Sequence, residues 1–151
     1  SRTDKLALPR KAVPMSDIKY TAILPQGWAR ARGYSHAVRA EGRQIVRISG
    51  QVATKNGAPK VDAALDFGQQ WELALANVVA LAREAGGAPE QITSLRAFVT
   101  NLREFHAAGK AVGEAWMKHM GKHFPAMTMV QVSALVDPDA KVEIEAEAVL
   151  P

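Results

Sequence analysis

The chain has 151 residues, of which 48% are apolar and 23% are charged, and it contains no cysteine. This length suits one domain with a buried core, and the composition is that of a globular protein rather than a disordered one. The lack of cysteine excludes disulfides, thiolate nucleophiles and Cys-ligated zinc, and it favours a reducing, cytoplasmic setting. No apolar run approaches about 18 residues, so we expect no transmembrane segment.

The formal net charge of +4 is concentrated near the N-terminus. Residues 1–14 hold four basic residues and one acidic residue, a net of +3, which leaves +1 for residues 15–151. We therefore predict a flexible or appended tail over 1–14, since Met15 resembles a natural start, and a single domain over 15–151. A nearly neutral domain argues against nucleic acid as a partner, although a basic tail that touches RNA or a membrane surface stays an open alternative.

The first third of the domain reads as three strands. Residues 18–24 predict a short first strand. The segments 34–39 and 43–49 predict a hairpin around the turn Ala40-Glu41-Gly42. Polar residues and the turn Lys55-Asn56-Gly57 then predict a loop.

The clearest local signal is an amphipathic helix over residues 63–85. Asp62 is its predicted N-cap, and Gly86 supplies the left-handed residue that ends it. Apolar residues recur along one face with the 3.6-residue period of a helix: Phe67, Trp71, Leu75, Val78 and Ala82.

The second half of the domain adds one helix and three strands. Strands are predicted over 92–100, 128–133 and 141–150, and a helix over 103–120 that ends at Gly121. The element order β-β-β-α-β-α-β-β predicts an α+β fold with one mixed sheet and both helices packed on one sheet face. Apolar residues fall on both faces of several strands, so we expect another subunit to cover the second face: Ile45, Ile48, Val99, Met129 and Val132.

The last predicted strand alternates strictly between apolar and acidic residues. Its apolar set is Val142, Ile144, Ala146 and Ala148, and its acidic set is Glu143, Glu145 and Glu147. A solvated acidic face is the simplest interpretation. Three like charges in a row repel, however, and the row is easier to tolerate if one carboxylate sits in a site or pairs with a neighbouring chain.

The common signatures of enzymes are absent from the sequence. It has no phosphate-binding Gly-rich loop and no dinucleotide fingerprint. His119 and His123 are four residues apart but straddle Gly121, so we interpret them as exposed side chains rather than zinc ligands and expect neither metal nor cofactor. The three tryptophans are interpreted as core or interface residues: Trp28, Trp71 and Trp116.

Five short motifs, taken in order, resemble the Rid family of reactive intermediate deaminases, also called YjgF-like proteins. The resemblance covers about residues 18–150, and its motifs are Tyr34-Ser35-His36-Ala37-Val38, Ile48-Ser49-Gly50-Gln51-Val52, Asn101-Leu102-Arg103-Glu104-Phe105, Phe124-Pro125-Ala126 and Val142-Glu143-Ile144-Glu145-Ala146. It implies a chorismate-mutase-like domain that forms a homotrimer around a central barrel, with small-molecule clefts between subunits. It also implies hydrolysis of enamines and imines such as 2-aminoacrylate.

The resemblance further implies roles for four residues of such a cleft. Tyr34 would line the cleft and offer its hydroxyl, and the backbone at Ser49 and Gly50 would bond a ligand oxygen or water. Glu143 would orient or activate the attacking water, as a general acid/base in a partly buried cleft should. Each residue also has an ordinary structural interpretation: a core aromatic for Tyr34, a turn for Ser49 and Gly50, and a solvated strand residue for Glu143.

The sequence departs from the family pattern at the substrate anchor. Active members carry an Arg after the Pro-Ala pair, where its guanidinium grips the substrate carboxylate, and this chain has Met127. Losing two charge-assisted hydrogen bonds costs on the order of a hundredfold or more in affinity for a 2-imino acid. Met127 and Met129 would make this part of the cleft apolar and adaptable, which favours an uncharged or less acidic ligand. Asn101 replaces the usual Asp of the family.

Three functions follow as hypotheses. The first is a hydrolase of an imine, enamine or related C–N compound with altered specificity. If it acts on 2-imino acids nonetheless, another cation such as Arg32 or Lys141 must replace the missing Arg. The second is a ligand-binding or regulatory trimer without catalysis. The third and weaker one is RNA cleavage or translation inhibition.

Overall fold

The computed structural model describes residues 18–151, and the tail predicted over 1–14 lies outside them. The described part of the chain forms six strands: β1 (Lys19–Ile23), β2 (Ala37–Glu41), β3 (Gln44–Gln51), β4 (Ile92–Val99), β5 (Ala126–Gln131) and β6 (Val142–Leu150). It also forms three α-helices: α1 (Phe67–Glu84), α2 (Leu102–Ala107) and α3 (Gly109–His119). A single 3-10 turn over Pro89–Gln91 precedes β4.

The strands form two sheets. β3, β6, β4 and β5 make a four-stranded mixed sheet in that order, in which β4 and β5 run parallel and the other neighbours antiparallel. β1 and β2 form a separate antiparallel pair, joined to the larger sheet by one bridge between Ser35 and Ala126. The α+β class and the mixed sheet are therefore confirmed, while the first two strands make their own small sheet.

The hairpin predicted around residues 40–42 is wrong. β2 pairs with β1, and β3 pairs with β6. Gly42 lies directly against the carbonyl oxygen of Leu150, and the N–H of Arg43 donates to that same oxygen at 2.8 Å. The C-terminal strand thus takes the hydrogen bonds that a local hairpin would have used.

The first helix begins later than its predicted start. Its N-cap is Asp66, whose carboxylate accepts from the N–H of Gln69 while the Gln69 amide accepts from the N–H of Asp66, both at 2.9 Å. This capping box fixes the start of the helix. Asp62 accepts instead from Ala64 in a local turn. The five apolar residues of the predicted face are all buried, and Gly86 has the expected positive φ of 97°.

The second predicted helix is two helices. The chain leaves helical geometry at Ala108, with φ −91° and ψ 15°, and α3 starts at Gly109. Glycine is a poor helix former, so a break at this point costs little. The predicted end at Gly121 is confirmed by its φ of 65°.

The hydrophobic core lies between the helices and one face of the larger sheet. α1 packs on β3 and β6, and α3 packs on α1. Trp71 and Trp116 are buried in this core, whereas Trp28 is exposed. The opposite sheet face is not covered within the described chain, since Ile45 is 67% exposed and Val130 is 43% exposed on it. In the part of the chain that the structure describes, none of the helices is both long and apolar enough to cross a membrane.

Candidate functional site

A cavity of about 690 Å³ opens between edge strand β5 and helix α3. That volume lies within the range of small-molecule sites, roughly 300–1,000 Å³. Its walls are mainly aromatic and thioether side chains, among them Tyr34, Phe105, Trp116, Met127 and Met129. The cavity therefore brings three of the predicted site residues together, namely the tyrosine and the two methionines.

The loop that carries Tyr34 is tied to the start of β5. Gly33 takes a φ of 80°, which glycine adopts without steric cost. Ser35 then donates its N–H to the carbonyl of Pro125 at 3.0 Å and its hydroxyl to the carbonyl of Phe124 at 2.6 Å. These bonds hold residues 33–35 beside Met127, so the backbone places Tyr34 and Met127 in the same wall of the cavity.

Stacked aromatic rings make the floor of the cavity. Trp116 stacks on Phe124 with a centroid distance of 6.2 Å, and its indole N–H donates to the carbonyl of His123 at 3.1 Å. Trp71 packs on Phe105 at 6.0 Å. The indole N–H of Trp71 is buried and has no hydrogen-bond partner in the described chain, which costs free energy unless a ligand or water accepts from it.

Glu143 lies on the other face of the sheet from the two methionines. Met129 and Ile144 are both register partners of Ala97, and these three share the face under the helices. Phe98 pairs with both Val130 and Glu143 on the opposite face. Side chains two residues apart on a strand lie on the same face, so Met127 lies on the same face as Met129. Neither methionine can therefore share a face with Glu143 in one chain.

Glu143 lies against Gly50 on this uncovered face. A Cβ added to Gly50 would overlap the carboxylate of Glu143, so only glycine leaves room for that side chain in its observed position. The two other acidic residues of β6 are paired, Glu145 with Arg96 at 3.2 Å and Glu147 with Arg47 at 2.7 Å. Glu143 makes no ion pair or side-chain hydrogen bond within residues 18–151.

Cross-strand arginines thus relieve the repulsion expected along β6 at two of its three carboxylates. The third, Glu143, is half-buried and keeps its oxygens available. Ser49 is exposed next to Gly50 on the neighbouring strand. The structure therefore brings Ser49, Gly50 and Glu143 together as a second group, and none of the three lines the cavity.

The comparisons with known proteins agree with the motifs. Residues 26–150 match the family model described as Endoribonuclease L-PSP. The chain belongs to the Rid (YjgF-like) family. A crystal structure of the Rid family protein YyfB from Yersinia pestis, described as of unknown function, is 30% identical, with a TM-score of 0.73 over 87% of this chain and 98% of that one.

Two Escherichia coli structures are also similar to this Rid protein. The YjgF gene product is 30% identical over 77% of this chain and 87% of its own, with a TM-score of 0.61. TdcF, solved with bound serine, is 29% identical over 87% of this chain and 99% of its own, with a TM-score of 0.62. No curated protein matches the chain.

Asn101 has a structural task in this Rid protein. Its side-chain oxygen accepts from the N–H groups of Arg103 at 2.9 Å and Glu104 at 3.4 Å, and so caps α2. Asn101 does not line the cavity. Its predicted role in ligand binding stays a prediction. Because the side-chain oxygen caps α2, the amide nitrogen is the side-chain group that is available to a ligand in one chain.

The two histidines considered for zinc hydrogen-bond to different partners. His119 contacts Glu72 at 3.3 Å, and a ring nitrogen of His123 lies 2.7 Å from the carbonyl of Ile92. Both are half-buried rather than exposed as predicted, because α3 and the loop after it pack on the core. Hydrogen bonds from Lys118 and then His119 lower the pKa of Glu72. Residues 18–151 contain no cluster of three His, Asp or Glu side chains that could hold a metal ion.

Sequence reasoning missed the helix α3 side of the cavity. Trp116 is predicted only as a core or interface residue and its neighbours on the helix have no predicted role, yet Val112, Trp116 and Met117 all line the cavity. The signal is Met117, an apolar residue that directly follows Trp116 and is 48% exposed. Exposed apolar side chains that adjoin one another are typical of a ligand groove.

Proposed function

We propose that this Rid protein is a homotrimeric hydrolase of an imine, an enamine or a related C–N compound, acting in the cytoplasm. The observation that carries the proposal is the carboxylate of Glu143, which is half-buried, lies against Gly50 and is unpaired within residues 18–151, whereas Glu145 and Glu147 of the same strand are ion-paired. A carboxylate kept free of ion pairs is suited to accept a proton.

The reaction needs one water molecule and the substrate. Glu143 accepts a proton from the water while the water oxygen attacks the imine carbon. The protonated carboxyl returns that proton to the nitrogen, which gives a carbinolamine. Glu143 then takes the hydroxyl proton of the carbinolamine and passes it to the nitrogen as the C–N bond breaks, so the products are a carbonyl compound and ammonia. The backbone at Ser49 and Gly50 and the Tyr34 hydroxyl would hold the water and the ligand.

Trimer formation is part of the proposal because one chain keeps its two groups of site residues apart. Met127 and Glu143 lie on opposite faces of the same sheet, so a cleft that uses both needs a second copy. The uncovered sheet face, where Ile45 and Val130 are exposed beside the ion-paired row of β6, supplies the surface for that contact. Analytical ultracentrifugation should give three chains per particle, and Ile45→Lys should shift the population toward monomer. A monomeric wild-type protein would contradict this part of the proposal.

The catalytic test uses two glutamates of the same strand. Purified protein is assayed for carbonyl product on a panel of enzymatically generated imines and enamines, with Glu143→Gln as the variant and Glu145→Gln as the matched control. We expect Glu143→Gln to lower kcat by about 100-fold or more, in line with the loss of a general base. Glu145→Gln should leave most of the activity, because Glu145 is paired with Arg96. Equal effects of the two variants, or no turnover on any compound, would reject the proposal.

A ligand-binding trimer without catalysis is the second candidate. Met127 favours it, since a thioether cannot anchor a carboxylate as the family Arg does. TdcF, which is similar over most of its length, is described with bound serine, so a small amino-acid-like ligand is compatible with this fold. A thermal-shift screen with metabolites that raises Tm without product formation would support this candidate.

RNA cleavage is the weakest candidate. The family model and a structure from Thermotoga maritima carry the name endoribonuclease. The net charge of about +1 outside the first 14 residues offers little attraction to a phosphate backbone. Nuclease activity that follows the trimer through purification and disappears in Glu143→Gln would revive it.

A further inference from the structure

The cavity wall contains one formally charged residue, Arg32, among side chains that are otherwise aromatic, thioether, aliphatic or neutral polar. We propose that Arg32 binds the anionic group of the ligand, and that the ligand is an amphipathic molecule with an aromatic or branched apolar body and one carboxylate. This inference rests on the cavity being the ligand site of the proposed function, and it names the class of ligand.

The backbone places Arg32 in the loop that lies beside Met127. Arg32 directly precedes Gly33 and Tyr34 in the loop that Ser35 ties to the carbonyl groups of Phe124 and Pro125. Met127 lies in β5, two residues after Pro125. Both side chains line the same cavity, so Arg32 offers a positive charge in a wall where Met127 offers none.

Arg32 is also available to a ligand. It makes no ion pair and no side-chain hydrogen bond within residues 18–151, and its side chain is exposed at the cavity mouth. The alternative cation considered from the sequence, Lys141, is not available in this way. Its ammonium lies 3.2 Å from a carboxylate oxygen of Glu104, and it does not line the cavity.

The rest of the cavity selects the apolar body of the ligand. Trp116, Phe105 and Met129 present ring faces and a polarisable sulfur, which favour an aromatic or branched group. A volume of about 690 Å³ is far larger than a three-carbon acid needs, so a small ligand would leave most of the apolar wall without contacts.

The test compares two probes of nearly equal shape, phenylacetate and phenylacetamide, which differ in charge. Calorimetric titration of the full-length protein should show phenylacetate binding about fivefold more tightly, the upper range for an exposed charge pair. In Arg32→Gln the two affinities should become equal within about twofold. Arg30→Gln removes a neighbouring arginine that does not line the cavity and should keep the wild-type ratio.

Three results would overturn the inference: equal affinities in the wild type, an unchanged ratio in Arg32→Gln, or no binding of either probe at about 10 mM. Melting temperatures within about 2 °C of wild type would show that the Arg30 and Arg32 variants are folded. The outcome is separable from the hydrolase proposal, because Glu143→Gln should abolish turnover and leave the affinity ratio unchanged. A protein without any turnover could still show the Arg32-dependent preference for the anion.

Discussion

Gly50→Ala is the substitution that most directly probes how Glu143 is held. A Cβ on Gly50 would lie 2.7 Å from Cδ and 2.8 Å from Cγ of Glu143, where ordinary contacts are 3.4–4 Å. The φ of Gly50 is not in the left-handed region, and the three atoms nearest to the added Cβ all belong to Glu143, so the main steric conflict is with this glutamate. The Glu143 side chain must therefore swing away from its observed position.

The free energy of unfolding should report this conflict as a coupling between the two residues. Overpacking costs about 1–3 kcal/mol, and a flexible glutamate places the cost at the lower end. Replacing a strand glycine by alanine returns about 0.5–1 kcal/mol. We expect Gly50→Ala to destabilise the protein by about 1 kcal/mol in the wild-type background and to stabilise it slightly in the Glu143→Ala background.

Urea unfolding of the four proteins of this double-mutant cycle, at one fixed protein concentration, measures the coupling. The expected value is about 1–2 kcal/mol. If the hydrolase proposal is right, Gly50→Ala should also lose turnover to nearly the extent of Glu143→Gln. Gly109→Ala is the control, because a Cβ there contacts nothing within 4 Å. Additive stabilities within about 0.3 kcal/mol would refute the contact between Gly50 and Glu143.

Three further predictions concern single side chains. Met127→Arg should raise turnover of imines derived from 2-aminoacrylate by at least about tenfold, measured as carbonyl product; no gain would show that position 127 does not face the substrate. Burial raises the pKa of Tyr20 to about 12. In the Tyr34→Phe protein, which keeps Tyr20 as its one tyrosine, absorbance at 295 nm should therefore titrate near that value, and a midpoint near 10 would contradict it. The free energy of unfolding should fall as the pH rises from 10 to 12, because only the unfolded chain ionises in that range. Gln70→Leu should lower the free energy of unfolding in urea by about 2 kcal/mol. The buried Gln70 amide donates to the carbonyl of Asp139 at 3.0 Å and accepts from the N–H of Lys141 at 2.8 Å, and so joins α1 to the start of β6. A cost under about 0.5 kcal/mol would show that water replaces these bonds.

Local patterns were sufficient where a local interaction decides the structure. The stripe of α1 predicted the buried helix face, and the alternation of β6 predicted its buried and acidic sides, because 3.6-residue and two-residue periods follow from backbone geometry. The helix ends at Gly86 and Gly121 followed from the left-handed conformation that glycine accepts.

The errors lie where contacts distant in sequence compete with local ones. The hairpin around residues 40–42 was lost because β3 finds its partner in β6, about one hundred residues away. The start of α1 moved because Asp66 and Gln69 form a reciprocal box, which outweighs the simple cap at Asp62.

The candidate site shows the same division. Motif resemblance proposed Tyr34, Met127 and Glu143 for one cleft, but no sequence pattern indicates that Glu143 faces away from the two methionines of β5.

If the proposed function is right, the separation of these residues links assembly to ligand choice in this chain. A single chain carries an apolar cavity lined in part by Arg32 and, on the other face of the sheet, the carboxylate of Glu143 beside Gly50. Alternation along the strands prevents one sheet from presenting both to one ligand. If a second copy supplies the missing half, then a change such as Ile45→Lys that weakens the contact between copies must lower turnover steeply with dilution. Binding of phenylacetate to the cavity of each chain should meanwhile persist, because its walls come from one chain. Loss of both properties at the same dilution would mean instead that the cavity itself forms only on assembly.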